Sequence, residues 1–189
     1  MNSIKSTSVY PTGISLIADD VIEFHATRLL LLIRLCGQKE RLRKLYRIEG
    51  LTKIAKLDFF IRYPEFFRRV VSFINKEFDI SSHKGGVESR MIKYHYGPWD
   101  ERYYQVLPYL ESRDLIKVEK NGNAYTFYLT SNGEAIANTL IADDDFKELV
   151  LNIGDVSKLL SKMGGSALKD LVYKLFSKEV ANKKMGEFI

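Results

Sequence analysis

The segment from Leu115 to Leu129 constrains this chain more than any other. Leu115-Ile116-Lys117-Val118-Glu119-Lys120 alternates apolar and polar side chains, the period of a half-buried strand, and Ala124 to Leu129 supplies a returning partner. Between them, Asn121-Gly122 accepts the positive φ of a tight primed turn at little cost, so a hairpin is expected. Ahead of it, Asp100 is placed to cap a helix reaching about Arg113, and Tyr94-His95-Tyr96-Gly97-Pro98-Trp99 reads as a rigid loop. Behind it, Thr130 or Ser131 caps a further helix, with Glu134 positioned to complete the cap.

Loop, helix, hairpin and helix in that order are the parts of a winged helix-turn-helix. The expected fold class is therefore mainly α (α+β): a winged helix-turn-helix core with a two-stranded wing and a C-terminal helical extension. Three units are expected: residues 1–18 as an N-terminal arm, 19–141 as the core, and 142–189 as the extension. The arm carries Ser, Thr, Pro11 and Gly13 without periodicity. Asp19 or Asp20 should cap a helix that stops at Gly37, and a second helix should run from Leu51 to Tyr63, where Pro64 ends it and starts the next. In that third helix Phe66, Phe67, Val70, Val71, Phe73, Ile74 and Phe78 fall in one arc. Beyond Ala142 three short amphipathic segments, divided at Gly154 and Gly164-Gly165, are expected to form a tail.

Charge divides unevenly along the chain. The net charge of +5 contains a segment, Val21 to Lys76, with 13 Lys/Arg against 5 Asp/Glu, an excess of +8 that leaves −3 for the remainder. A cationic face on the N-terminal half follows, able to track a phosphate backbone without reading sequence, with Lys53, Lys56, Arg62, Arg68, Arg69 and Lys76 as its candidates. The single Cys36 leaves no intramolecular disulfide and suits a reducing, cytoplasmic compartment. The apolar run Leu29 to Ile33 is far shorter than the ~20 residues a membrane span needs. No membrane partner is expected.

Catalytic chemistry is absent from the pattern. There is no phosphate-cradling glycine loop before a lysine, no His/Cys cluster, and no nucleophile elbow. Asp143-Asp144-Asp145 stands at a helix start, where adjacent carboxylates complement the dipole rather than converge on a cation. No enzyme activity, metal or cofactor is expected. The helix after Asp100, in the place of a recognition helix, carries Asp100, Glu101, Glu111 and Asp114 against Arg102 and Arg113, and Pro108 interrupts it. Net −2 there would be repelled by a duplex. Tyr94, Tyr96, Trp99, Arg102 and Tyr103 are instead of the types enriched at protein interfaces, and are the candidate partner-binding residues.

Two segments, Gly50-Leu51-Thr52-Lys53-Ile54-Ala55-Lys56-Leu57-Asp58-Phe59-Phe60-Ile61-Arg62-Tyr63-Pro64 and Glu88-Ser89-Arg90-Met91-Ile92-Lys93-Tyr94-His95-Tyr96-Gly97-Pro98-Trp99-Asp100-Glu101-Arg102-Tyr103-Tyr104, resemble the middle component of three-component ABC-ATPase systems, the small subunit of Lamassu-type anti-phage defence. The resemblance covers about residues 20 to 140. It implies a non-enzymatic accessory subunit that bridges an SMC-like ABC ATPase and a nuclease effector, meeting double-stranded DNA through the complex without sequence specificity. The alternative is a stand-alone winged-helix transcriptional regulator, which would be a homodimer on a palindromic site.

Overall fold

A computed structural model describes residues 21–74, 77–78, 80, 90–122 and 124–189. Its centre is a pair of helices buried on nearly every side. Helix α1 (Ile22–Cys36) carries Leu29, Leu30, Leu31, Leu32 and Ile33 into the interior, and α2 (Leu51–Arg62) does the same with Ile54, Ala55, Leu57, Phe59 and Phe60. Helices apolar all round belong inside a core rather than on its edge. The cap expected at Asp19 or Asp20 lies outside the described residues.

Tyr63 separates α2 from α3 (Pro64–Ile74), whose Phe67, Val70 and Val71 are buried. Phe73 and Ile74, expected on the same inward arc, are half exposed, because α3 has α2 as its main neighbour and covers only a narrow stripe. Phe59, Tyr63, Phe66 and Phe176 form an aromatic cluster at this joint, with Phe66 and Phe176 centroids 4.8 Å apart and edge-on. Each such pair adds about 1 kcal/mol beyond its buried area.

The sheet contains the expected hairpin and more. Strands β1 (Gln38–Lys39), β2 (Tyr46–Glu49), β5 (Ile116–Asn121) and β6 (Ala124–Leu129) form one antiparallel sheet in the order β1-β2-β6-β5. Ile48 pairs with Phe127, and Phe127 with Val118, so one face turns these side chains inward. The next row, Arg47, Tyr128 and Lys117, belongs to the outer face. The basic segment Gln38 to Arg47 between α1 and α2 is therefore largely a hairpin.

Residues expected as loop also pair. Strands β3 (Ile92–Tyr94) and β4 (Gly97–Trp99) form a second hairpin, with Gly97 at φ 97°, a conformation that disfavours any side chain. Phe188 bridges to Ile92, and the Ile189 N–H donates to the Met91 carbonyl at 2.8 Å, laying residues 186–189 along β3.

Helix α4 (Tyr103–Ser112) follows, and α5 (Ser131–Ala142) starts as expected, with the Thr130 hydroxyl accepting from the Gly133 N–H at 2.9 Å. Gly133 is required for a second reason: a Cβ there would lie 1.9 Å from the Leu115 carbonyl oxygen. A short turn at Asp144–Phe146 leads to α6 (Lys147–Leu160), which runs unbroken through Gly154, the expected division. Helix α7 (Gly165–Leu175) begins after Gly164, and a wide turn spans Ser177–Ala181.

The helices after Ala142 do not form a tail. Helix α6 packs on α1 and α7 on α2, and Ile153, Val156, Leu160, Leu168, Val172 and Phe176 join the same hydrophobic core as Leu31 and Phe59. Amphipathic segments bury their apolar stripe where a complementary surface is open, and α1 and α2 offer it. Among the described residues, no helix is long and apolar enough to cross a membrane.

Candidate partner-docking surface

Helix α4 presents two contrasting faces. Tyr103, Val106, Leu107 and Leu110 point into the core, while Glu101, Tyr104, Gln105, Pro108, Glu111 and Ser112 are exposed. Of the charges on or next to the outer side, Glu101, Glu111 and Asp114 outnumber Arg113 by two. Tyr104 is 62% exposed. Pro108 has no N–H for the Tyr104 carbonyl, which leaves that acceptor open on the outer face.

A buried charge cluster fixes the start of α4 against α1 and α2. The Arg28 Nε of α1 donates to Asp58 Oδ1 of α2 at 2.7 Å, and the Tyr103 hydroxyl of α4 donates to Asp58 Oδ2 at 2.7 Å. Arg62 Nη1 lies 3.5 Å from Asp58 and donates to Asp100 Oδ2 at 2.7 Å. Asp100 also accepts from the Arg102 backbone N–H at 3.0 Å and from its Nε and Nη2. His25 Nδ1 sits 3.2 Å from Arg28 Nη1, and its Nε2 sits 2.9 Å from Arg102 Nη1. Three helices thus meet at paired charges.

Electrostatics hold both carboxylates ionised. Burial alone would raise Asp58, but Arg28 and Arg62 beside it outweigh that and hold it below its ordinary value. Burial likewise opposes Asp100, and the Arg102 hydrogen bonds with the Arg62 charge push it well below the usual carboxylate range. Arg62 is raised against its own desolvation by Asp58. Carboxylates saturated by guanidinium groups have little basicity left for proton transfer, so the cluster acts by positioning α4.

The aromatic candidates separate on burial. Trp99 is 8% exposed, stacked with Tyr94 at 5.6 Å and edge-on to Tyr103 at 5.3 Å. Tyr103 is buried with its hydroxyl on Asp58. These two are core residues and do not present a partner surface. Arg102 is half-buried and spends its guanidinium on Asp100. Tyr94 is half-buried, and Tyr96 remains exposed beside a polar cleft of about 440 Å³ lined by Thr52, Lys53, Ser166 and Lys169. Tyr104, at the outer edge of the Trp99 group at 5.8 Å, is the exposed ring to add.

The candidate phosphate-tracking residues divide similarly. Lys53 is buried with Nζ on the Ser161 carbonyl at 2.6 Å, and Arg62 lies in the charge cluster. Lys56 is buried with Nζ on the Pro98 carbonyl at 2.8 Å, and burial, with Lys93 nearby, brings it down to about 7. Interior positions remove these three from a duplex. Arg68 and Arg69 are exposed and paired with Glu65 and Glu179, at 3.0 and 2.6 Å. Lys76 lies outside the described residues.

Sequence reasoning missed His25, Arg28 and Asp58. Their signal was the company they keep: charges in helices whose neighbours are apolar on every face must be paired inside. Cys36 is also buried, and burial pushes its thiol up to about 12. Asp143 accepts from the Asp145 N–H at 3.0 Å, capping the short turn before α6. Comparisons with protein-family models, with curated proteins and with solved structures found no match to this chain.

Proposed function

We propose that this chain is a winged-helix accessory subunit that docks protein rather than reading DNA bases. The run α1, β2, α2, α4, β5, β6, with sheet order β2-β6-β5, supports a winged-helix reading in which α3 and the β3–β4 hairpin are insertions before α4. On that reading helix α4 stands where a recognition helix would. Its acidic outer face, with exposed Tyr104 and Pro108, carries the reading: a helix that inserts between phosphates is not acidic, whereas Tyr beside fixed charges suits a protein interface.

With the resemblance in the two quoted segments, the partners proposed are an SMC-like ABC ATPase and a nuclease effector of a cytoplasmic anti-phage complex. Catalysis belongs to those partners, and this chain bridges them. Co-expression with an SMC-like ABC ATPase encoded beside it should give a stable complex on size exclusion, and Glu101→Arg with Tyr104→Ala should weaken it about thirtyfold, the loss of a hot spot of about 2 kcal/mol. Isolation as a lone homodimer that protects a palindrome in its own upstream DNA would overturn this in favour of a transcriptional regulator.

A further inference from the structure

We propose that the β1–β2 hairpin, with strand β5 on the far side of β6, is the surface by which this chain itself contacts the phosphate backbone of duplex DNA. The choice of duplex DNA as the polyanion rests on the function proposed above. The surface itself is read from exposure and charge.

Once Lys53, Lys56 and Arg62 are placed in the interior, most of the accessible cations of residues 21–74 lie here. Lys39, Arg41, Arg43, Lys44 and Arg47 belong to the hairpin, and Lys117 and Lys120 to β5. Against these seven stand Glu40, Glu49 and Glu119, an excess of four positive charges. Those carboxylates are engaged: Glu119 with Arg43 and Lys117, both at 2.9 Å, Glu49 with Arg47, and Glu40 with Arg43 and Arg47. Arg41 and Lys44, at the tip, have no partner among the described residues.

Geometry arranges the charges as a row. Arg47 and Lys117 share one register line with Tyr128 between them, which places their strands about 10 Å apart. The Arg43 guanidinium lies over the Tyr128 ring at 4.8 Å, linking the tip to that line. Leu42, between Arg41 and Arg43, is 91% exposed. One apolar side chain flanked by arginines is the chemistry of a minor-groove wedge, whereas a membrane-lying element needs a whole apolar face. The hairpin thus presents cations where α4 presents acid.

The test uses the full chain and a labelled mixed-sequence duplex of ~30 base pairs, with affinity read by fluorescence anisotropy from about 50 to about 200 mM salt. Binding should weaken with salt. Arg41→Glu with Lys44→Glu should reduce affinity at least about tenfold at low salt and flatten the log–log salt slope by about 2, and the milder Arg41→Gln with Lys44→Gln should lose less. Each variant should keep the parent melting temperature, and Arg68→Glu on α3 should bind within about twofold of the parent. The inference is overturned if the parent does not bind duplex at low salt, if the tip variants bind as the parent does, or if Arg68→Glu loses as much. Binding to phosphatidylserine vesicles without binding to duplex would assign the hairpin to a lipid surface and overturn it too. Loss of duplex binding with an intact ATPase complex would leave the accessory-subunit reading standing, so the two failures are distinguishable.

Discussion

Two groups of cations from one stretch of sequence meet opposite fates. Lys53, Lys56 and Arg62 on α2 are buried against carbonyls and carboxylates, while Arg41, Arg43 and Lys44, about ten residues earlier, stand in solvent. The difference teaches that a count of lysines and arginines along a chain is not a charge on its surface. Helix α2 is buried on nearly every side, so its cations enter the core and each must find an acceptor there. The β1–β2 hairpin lies at the edge of a small sheet, and its tip has nothing to enter.

The most severe challenge to this contrast is Asp58→Ala, which leaves Arg28 and Arg62 buried without their shared carboxylate. A loss of about 3–5 kcal/mol is expected by urea denaturation, and a loss near zero would mean that the cluster is hydrated after all. Next comes Trp99→Ala, expected to lower stability by about 3 kcal/mol through the cavity it leaves beside Tyr94 and Tyr103. Weakened partner binding with an unchanged melting temperature would instead place Trp99 at an interface.

Lys56 gives a graded test. Its folded value of about 7 lies below the unfolded value of 10.5, so between these the unfolded chain holds more protons. Stability should therefore rise with pH through that window, by at most about 2.7 kcal/mol from pH 7 to pH 9. Lys56→Met should abolish that rise, as denaturation at the two pH values would reveal. Smallest of all, Arg43→Ala on the hairpin should leave the urea midpoint unchanged, because an exposed ion pair contributes little.

Much of the fold was legible because local chemistry settled it. Gly122, at φ 60°, marked the β5–β6 turn, although Asn121 is the last paired residue of β5 rather than a turn residue, Thr130 marked the start of α5, and Pro64 the boundary between α2 and α3. The strands missed are short: β1 has two residues, β2 four, and β3 and β4 three each, with Pro98 inside β4. Lengths so short carry no periodicity, and proline argues against a strand. The candidate docking face was half visible, since the acidity of α4 could be counted but which of its rings were buried could not. Trp99 and Tyr104 are five residues apart, and only the position of α2 decides which one meets solvent.

The packing of α6 on α1 and of α7 on α2 also sets the tempo at which this structure can assemble. The Ser157 hydroxyl donates to the Leu35 carbonyl across 122 residues, and the Lys53 ammonium reaches Ser161 across 108. Such contacts form only after long loops have closed, so loop-closure entropy is met before packing rewards it. The central pair of helices must wait, with apolar sides uncovered, for segments synthesised more than 80 residues after them. Folding slowed by these long closures follows from the wiring of the core rather than from any one residue in it.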